Sequence, residues 1–292
     1  MVRTPAKCIM KRTMRWYWQC RQKELQATYK FLNLSHCMSA SLPSLICVNS
    51  KQKLVKRNQS SPTLSKDQTM KTILITGCSS GIGLDAALAF HNAGWLVVAS
   101  CRNEDDCETM RSTHGMHSIR IDYEDEASIL SGFAATLKIT DGRLDVLFNN
   151  GAYAVPALVE DLPTNALRAI FEANFFGWHT LTRLTVAKMR QQAEGRIIQN
   201  SSVLGFAPLK FRGAYNATKF ALEGLTDTMR LELYQTNIHL ILVEPGPIRT
   251  RIRENAYRQF KRWIDWQHTA SKSWYENVVI PRLSAIDPPT EI

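Results

Sequence analysis

Residues 71–83 decide the fold, and they have the sequence Lys-Thr-Ile-Leu-Ile-Thr-Gly-Cys-Ser-Ser-Gly-Ile-Gly. The first six form a short run rich in β-branched residues, without polar alternation, which is typical of a parallel strand buried on both faces. The three glycines that follow allow the backbone to turn tightly. Residues 84–93 then have helical spacing, and Gly94 is a natural helix end. The stretch therefore predicts a strand, a glycine turn and a helix in succession.

The same alternation of strand and helix continues along the chain. Ile129, Leu130, Phe133 and Leu137 fall on one helical face, and longer helices are expected over 165–191 and 215–234. This order is typical of an α/β fold, a doubly wound parallel sheet in a single domain, whose ligands bind at the carboxyl ends of the strands. Six strands are expected, over residues 71–76, 95–100, 118–121, 144–148, 196–200 and 238–243.

The N-terminal 69 residues differ in composition from the rest of the chain. They hold 13 of the 36 Lys and Arg residues but only 2 of the 26 Asp and Glu residues, so their net charge, 13 − 2 = +11, accounts for the whole net charge of +10 of the protein. Residues 1–69 are predicted to be a disordered basic extension, or the product of a misplaced start codon before Met70; an organelle transit peptide, a nucleic-acid arm or a membrane arm are the alternatives. The domain itself, residues 70–292, is nearly neutral, so no nucleic-acid partner is expected for it.

Membrane and metal sites are not expected either. The most apolar part of the extension, residues 31–48, is too polar and too broken to span a bilayer, and no signal peptide is recognisable. None of the seven cysteines forms a C-x-x-C pair, and their odd number is typical of reduced thiols. We therefore expect a cytoplasmic protein without a metal ion.

The glycine loop suits a dinucleotide. Glycines allow the backbone to approach a pyrophosphate, and the N-terminus of the following helix is a positive end that attracts the phosphates. The loop lies between a predicted strand and a predicted helix, which is the context that this interpretation needs.

The end of the second strand indicates which dinucleotide is bound. A site for NAD(H) places a carboxylate there, whereas this chain has Cys101 followed by Arg102. A guanidinium suits the 2′-phosphate of NADP(H), so NADP(H) is expected rather than NAD(H). Asp122 could bond the adenine amino group, and residues 149–152 would carry their backbone past the adenosine.

A tyrosine and a lysine are candidates for proton transfer. Tyr215 and Lys219 are four residues apart on a predicted helix and thus share a face, and Ser202 precedes Tyr215 by thirteen residues. A neighbouring cation stabilises a phenolate, so we expect the pKa of Tyr215 to lie below its usual value of about 10. Such a group can move a proton to or from an alcohol oxygen.

Together these motifs resemble the short-chain dehydrogenase/reductase family, over about residues 70–283. T-G-x-x-x-G-x-G begins at Thr76, N-x-x-G at Asn174, Y-x-x-x-K at Tyr215 and P-G-x-x-x-T at Pro245. The chain is most similar to bacterial NADP-type members that resemble aldehyde, retinol and 17β-hydroxysteroid reductases. The resemblance implies a Rossmann-type fold and an enzyme that interconverts an alcohol and a carbonyl.

The resemblance also implies residue roles. Tyr215 would be the general acid/base, Lys219 would bond the nicotinamide ribose, Ser202 would hold the substrate oxygen, and Asn174 would fix a relay water or merely distort its helix. The implied cofactor-binding residues, in addition to Tyr215 and Lys219, are Thr76, Gly77, Ser79, Ser80, Gly81, Ile82, Gly83, Arg102, Asp122, Asn149, Asn150, Gly151, Pro245, Gly246, Ile248 and Thr250.

Two features depart from the family pattern. The usual N-N-A-G is Asn-Asn-Gly-Ala at 149–152, and no seventh strand or last helix is recognisable before Ile292. We therefore expect the edge of the strand at 238–243 to be uncovered, which can favour pairing with another chain. The alternative function is a cofactor-binding non-enzyme or an inactive truncated member of the family; a homo-oligomer is a possible assembly.

The substrate is expected to contact residues 251–283, which follow the last strand. Aromatic residues there and after other strands predict a lipophilic aldehyde or ketone, with retinoid or steroid carbonyls as alternatives. Arg249, Arg251 and Arg253 leave a carboxylate-bearing substrate open. The aromatic candidates are Tyr153, Phe206, Phe211, Tyr257, Phe260, Trp263, Trp266, Trp274 and Tyr275.

Overall fold

The structure is a computed structural model that describes residues 70–285. The predictions for residues 1–69 and for the last seven residues lie outside the described residues. Six parallel strands form one sheet in the order β3-β2-β1-β4-β5-β6. The strands are β1 (Thr72–Thr76), β2 (Leu96–Cys101), β3 (His117–Arg120), β4 (Val146–Asn149), β5 (Gly195–Asn200) and β6 (Ile238–Val243).

Helices connect the strands and cover both faces of the sheet, which confirms the predicted doubly wound α/β fold. They are α1 (Gly81–Asn92), α2 (Glu104–His114), α3 (Glu126–Ile139), α4 (Thr164–Phe171), α5 (Gly177–Gln192), α6 (Gly213–Glu232), α7 (Ile252–Trp263), α8 (Lys272–Trp274) and α9 (Ile280–Ser284). A π-helical turn, Glu172–Phe176, joins α4 to α5, and another, Tyr275–Val279, joins α8 to α9.

The central strand is buried on both faces, as its unbroken apolar run predicts. All five residues of β1 are buried. Leu74 belongs to the core cluster that includes Trp178 and Leu222 of α5 and α6, whereas Ile73 and Ile75 belong to the cluster on the other face. Alternate side chains of a strand point to opposite faces, and each fully buried one contributes roughly 1.5–3 kcal/mol. This burial holds the glycine turn at a defined edge of the sheet.

Several expectations for the helices were wrong in detail. Leu130 is 49% exposed, because the buried stripe of α3 instead follows Ile129, Phe133 and Thr136. The single helix expected over 165–191 is interrupted by the π-helical turn at Glu172–Phe176. Helix α2 was not expected, because it buries only Cys107 and Met110 and so has little apolar periodicity.

Strand β6 forms one edge of the described sheet. Strand β6 pairs with β5 along its whole length, and no strand among residues 70–285 pairs with its other side. A seventh strand is likewise absent from this part of the chain. Within the same residues, no helix has the length and apolar character needed to cross a membrane.

Candidate active site

A cleft of about 380 Å³ opens at the carboxyl ends of β1, β4, β5 and β6. It brings together fourteen of the predicted site residues, which come from five separate segments. These residues are Gly77, Ser79, Ser80, Gly81, Ile82, Asn150, Gly151, Ser202, Tyr215, Lys219, Pro245, Gly246, Ile248 and Thr250. Thr76, Gly83, Arg102, Asp122, Asn149 and Asn174 do not line it.

The glycine loop is a cradle without side chains. Gly77 has φ +68°, in the left-handed region that favours glycine, and a Cβ built on it would lie 2.6 Å from Gly151 Cα. A Cβ on Gly83 would lie 2.3 Å from the Gly77 carbonyl oxygen, so the first turn of α1 packs directly on the loop. This bare backbone before a helix N-terminus fits a dinucleotide pyrophosphate.

Thr76 and Asn150 hold the loop against the end of β4. The Asn150 backbone N–H donates to Thr76 Oγ1 at 2.8 Å, and Asn150 Nδ2 donates to the Thr76 carbonyl at 2.9 Å. Asn200 Nδ2, at the end of β5, donates in turn to Asn150 Oδ1 at 2.7 Å. Thr76 is therefore a support of the cradle rather than part of its wall.

Asn149 has a buried structural role that differs from the expected place beside the adenosine. It is fully buried, and its Nδ2 donates to Thr182 Oγ1 and Gln199 Oε1, both at 3.0 Å. Tyr123, which sequence reasoning missed, donates to Asn149 Oδ1 at 2.6 Å. Only tertiary packing identifies Tyr123, because nothing in its local sequence marks it.

The two residues predicted to contact the adenosine half lie outside the cleft. Arg102 is exposed directly after β2, and its backbone carbonyl accepts a 3.1 Å hydrogen bond from Arg120 Nε. Asp122 is half-buried; its Oδ1 accepts from the Glu124 N–H at 3.1 Å, and its Oδ2 is 3.5 Å from Arg120 Nη2. Both are at the carboxyl end of the sheet, on the side of β2 and β3.

Tyr215 departs from the expected acidity. The phenol is buried at the base of the cleft, and burial raises its pKa to about 12, while a hydrogen bond with Ser202 and the charge of Arg212 partly oppose the shift. The expectation of a lowered pKa was wrong, because exclusion of water from the phenol outweighs these effects. The phenol is therefore protonated throughout the neutral pH range.

Lys219 also has an unusual environment. Its ammonium nitrogen donates to the Asn200 carbonyl at 2.8 Å and lies 4.3 Å from the centre of the Trp178 ring. It is 5.6 Å from the centre of the Tyr215 ring. Burial lowers the pKa of Lys219 from 10.5 to about 7, and the charge of Glu223, one turn further along α6, opposes that shift. The two reactive side chains are thus neighbours, both desolvated.

Asn174 lies in the π-helical turn and away from the cleft surface. It is fully buried, its Oδ1 accepts from the Tyr153 N–H at 3.1 Å, and its Nδ2 donates to the Tyr153 carbonyl at 2.8 Å. Its side chain thereby ties the helix to the segment after β4. A π-helical turn at this point widens the helix by one residue, a distortion that often accompanies functional sites.

The substrate side of the cleft is aliphatic rather than aromatic. Of the nine aromatic candidates, only Phe211 lines the cleft. Phe260 and Tyr275 are fully buried in the core beneath it, while Phe206 and Trp274 are 56% and 45% exposed. The apolar part of the remaining wall is formed by Ala154, Pro156, Leu204, Leu209, Ile252, Ala256, Val279 and Leu283, and the cleft is also lined by Lys210, Arg212, Arg251, Arg253 and Arg282. The prediction of an aromatic lining was therefore wrong, although much of the wall is aliphatic.

A parallel sheet whose glycine cradle meets a buried serine, tyrosine and lysine in one cleft has the architecture of a dinucleotide-dependent oxidoreductase. A family model described as short chain dehydrogenase matches residues 71–261. The chain belongs to the short-chain dehydrogenase family, and it is an oxidoreductase that acts on CH–OH or C=O groups with NAD(P).

Similar proteins include enzymes of the same kind. Over 185 residues the chain is 41% identical to the uncharacterized oxidoreductase YbbO of Escherichia coli K12, covering 63% of this chain and 68% of that protein. It is 34% identical over 189 residues to human retinol dehydrogenase 8, covering 62% and 60%. The crystal structure of a short-chain dehydrogenase from Streptomyces avermitilis is similar with a TM-score of 0.60 and 32% identity, covering 63% and 68%.

Proposed function

We propose that this protein is an NADP(H)-dependent oxidoreductase that reduces a lipophilic aldehyde or ketone, or catalyses the reverse oxidation. The observation that carries the proposal is the position of Ser202, Tyr215 and Lys219 in one cleft with the glycine cradle and an apolar wall. The aliphatic side chains of that wall favour a lipophilic substrate over a sugar. The name of human retinol dehydrogenase 8 refers to a lipophilic alcohol, which is consistent with this class.

In the proposed reduction, Tyr215 donates its phenol proton to the substrate oxygen. The raised pKa keeps that proton in place at neutral pH, and Ser202, hydrogen-bonded to Tyr215, holds the same substrate oxygen. Lys219 would hold the nicotinamide ribose, and its ammonium form would stabilise the phenolate that remains when the proton has left Tyr215. The nicotinamide, when bound, supplies or accepts the hydride.

The proposed preference for NADP(H) rests on the charges after β2. Cys101 is buried there, and burial raises its pKa to about 12, so it is an uncharged thiol, while Arg102 is exposed. The first acidic residue beyond them, Glu104, pairs with Arg111 at 2.6 Å. At the position where NAD(H) sites have a carboxylate, this chain thus has an uncharged thiol followed by a positively charged arginine.

Arg102→Gln is expected to lower the ratio of kcat/KM for NADPH to kcat/KM for NADH by at least about tenfold. Tenfold corresponds to the free energy of one hydrogen bond to a charged group. Steady-state kinetics with both cofactors measure the ratio. Arg190→Gln is the matched control, because Arg190 is exposed on α5 and does not line the cleft. A wild-type enzyme that prefers NADH would overturn the proposed cofactor.

A carbonyl panel tests the function itself. Purified protein with NADPH should oxidise the cofactor in the presence of medium-length and long aliphatic aldehydes, with loss of absorbance as the readout, and retinoid or steroid ketones as further members. Sugars should give at least about tenfold lower kcat/KM, since the aliphatic side chains of the wall offer their hydroxyl groups no hydrogen-bond partners. Activity on sugars alone would contradict the lipophilic substrate, whereas NADPH binding with no turnover would leave a cofactor-binding protein.

The proposal also covers the cellular location, the partner and the oligomeric state of the enzyme. Cys78, Cys101 and Cys107 are free thiols in the described part of the chain, which supports a reducing, cytoplasmic location. The partner is a small lipophilic molecule, and β6, which pairs on one side only within residues 70–285, supports a homo-oligomer through that edge.

A further inference from the structure

Three arginines from three separate elements meet on the substrate side of the cleft. Arg212 precedes Tyr215 at the start of α6, Arg253 is in the first turn of α7, and Arg282 is in α9. All three line the cleft, and none of the lining residues in the described part of the chain is Asp or Glu. We name these residues the arginine cluster.

The backbone that presents Arg212 has a costly conformation. Phe211 has φ +66°, which is uncommon for a large side chain and indicates a position that the surrounding structure imposes. Two contacts impose it here: the Phe211 carbonyl accepts from the Ala157 N–H at 3.1 Å, and Ala157 and Arg212 form an isolated parallel bridge. Arg212 is thus held beside Tyr215 by the segment that follows β4.

Electrostatics make the cluster favourable for an anion. Burial, then the positive charges of Arg253 and Arg282, lower the pKa of Arg212, so both of these arginines repel the Arg212 guanidinium. Arg251 also lines the cleft, but we leave it out of the cluster because its guanidinium makes two hydrogen bonds to Glu254, at 3.0 and 3.2 Å. Within the cluster, Arg253 Nη1 donates to the Ala285 carbonyl at 3.5 Å. An oxyanion between Arg212, Arg253 and Arg282 would relieve their repulsion and accept hydrogen bonds from each.

Two members of the cluster adjoin the apolar wall in sequence, since Arg212 follows Phe211 and Arg282 precedes Leu283. Arg253 is nearer to the cofactor side, because Thr250, three residues before it, is the residue that a Cβ on Gly81 of the glycine loop would contact. Arg212 and Arg253 are half-buried and Arg282 is exposed, so the cluster extends from the neighbourhood of Tyr215 to the rim.

We infer that the arginine cluster binds an oxyanion of the substrate, so that the preferred substrate is a lipophilic carbonyl compound with a terminal carboxylate or phosphate. This inference rests on the proposed function, since it names the substrate class of the same cleft. The aliphatic wall would contact the chain of such a molecule, Tyr215 its carbonyl oxygen, and the arginines its charged end.

Two matched aldehydes test the inference: nonanal and its ω-carboxylate. The quantity compared is the ratio of kcat/KM for the carboxylate to kcat/KM for nonanal, and in the wild type it should be at least about ten. Arg282→Gln and Arg253→Gln should each lower this ratio by about tenfold, which corresponds to the free energy of one hydrogen bond to a charged group. Arg190→Gln removes an exposed charge outside the cleft and should keep the wild-type ratio. A phosphate-bearing aldehyde of similar length then shows which oxyanion is preferred.

A ratio near or below one in the wild type, or an unchanged ratio in both variants, would overturn the oxyanion site. A raised KM for NADPH with an unchanged ratio would assign the arginines to the cofactor instead, which also overturns it. If neither aldehyde is turned over, the proposed function has failed, and calorimetric binding of nonanoate against nonanol in the presence of NADPH decides the inference separately. Tighter binding of nonanoate that is lost in Arg282→Gln supports it, and equal binding refutes it.

Discussion

Tyr215→Phe should lower kcat by roughly 10²- to 10⁴-fold, the usual contribution of a positioned general acid or base. The substitution removes one hydroxyl group from a ring that is buried beside Ser202 and leaves its packing unchanged. Because the phenol is protonated at neutral pH in the wild type, the variant loses the proton that reduction requires. The Kd for NADPH, measured by fluorescence titration, should change by less than about threefold, since the glycine cradle does not involve the hydroxyl.

Tyr234→Phe is the matched control for this experiment. Tyr234 is 77% exposed and follows α6, so the same chemical change there should leave kcat at the wild-type value. Turnover by Tyr215→Phe at the wild-type rate would remove the assigned acid/base. A parallel loss of kcat and NADPH binding would instead show that the variant is damaged in the cradle.

Lys219→Met should abolish most of the activity and yet stabilise the ligand-free protein at pH 6. The wild-type ammonium is fully desolvated, which lowers its pKa in the folded protein to about 7, compared with 10.5 for an ordinary lysine. Between these pH values the unfolded chain binds more protons than the folded one, so the free energy of unfolding of the wild type rises with pH across the window. Below about pH 7 Lys219 is charged in the folded protein as well, so the wild type bears the full free-energy cost of burying the ammonium.

Methionine of similar length removes that penalty. Replacement of buried charged groups by apolar ones of similar volume often stabilises by about 1–4 kcal/mol, and the lost bond to the Asn200 carbonyl offsets part of the gain. The difference in Tm between variant and wild type should be positive at pH 6 and should shrink steadily towards pH 10. Thermal denaturation without cofactor measures it.

Lys138→Met controls for the effect of adding an apolar residue. Lys138 is exposed in the last turn of α3, so its replacement should give no pH-dependent change in Tm. A lower Tm for Lys219→Met at pH 6 would show that the hydrogen bond to Asn200 is worth more than the desolvation. The same Tm difference at pH 6 and pH 10 would show that Lys219 does not titrate in this range.

Much of the backbone was predictable from local sequence. The apolar run Thr72–Thr76 is wholly buried at the centre of the sheet, and the strand expected at 238–243 has those bounds. Such runs are decisive because a strand without polar alternation can be buried only between two layers of helices. Helix α2 was missed because it buries only Cys107 and Met110. The π-helical turn before α5 was also missed, and its Asn174 bonds to Tyr153, 21 residues away in sequence.

The sequence by itself determined which chemical groups the site could contain. A glycine loop after a strand, and a tyrosine and lysine one helical turn apart, depend only on residues that are close in the chain, so their spacing predicts their geometry. Only the tertiary structure decided the acidity of Tyr215, the burial of Phe260 and the meeting of Arg212 with Arg253 and Arg282. The physical reason is that exclusion of water and proximity of charge depend on elements distant in sequence, which local periodicity does not specify.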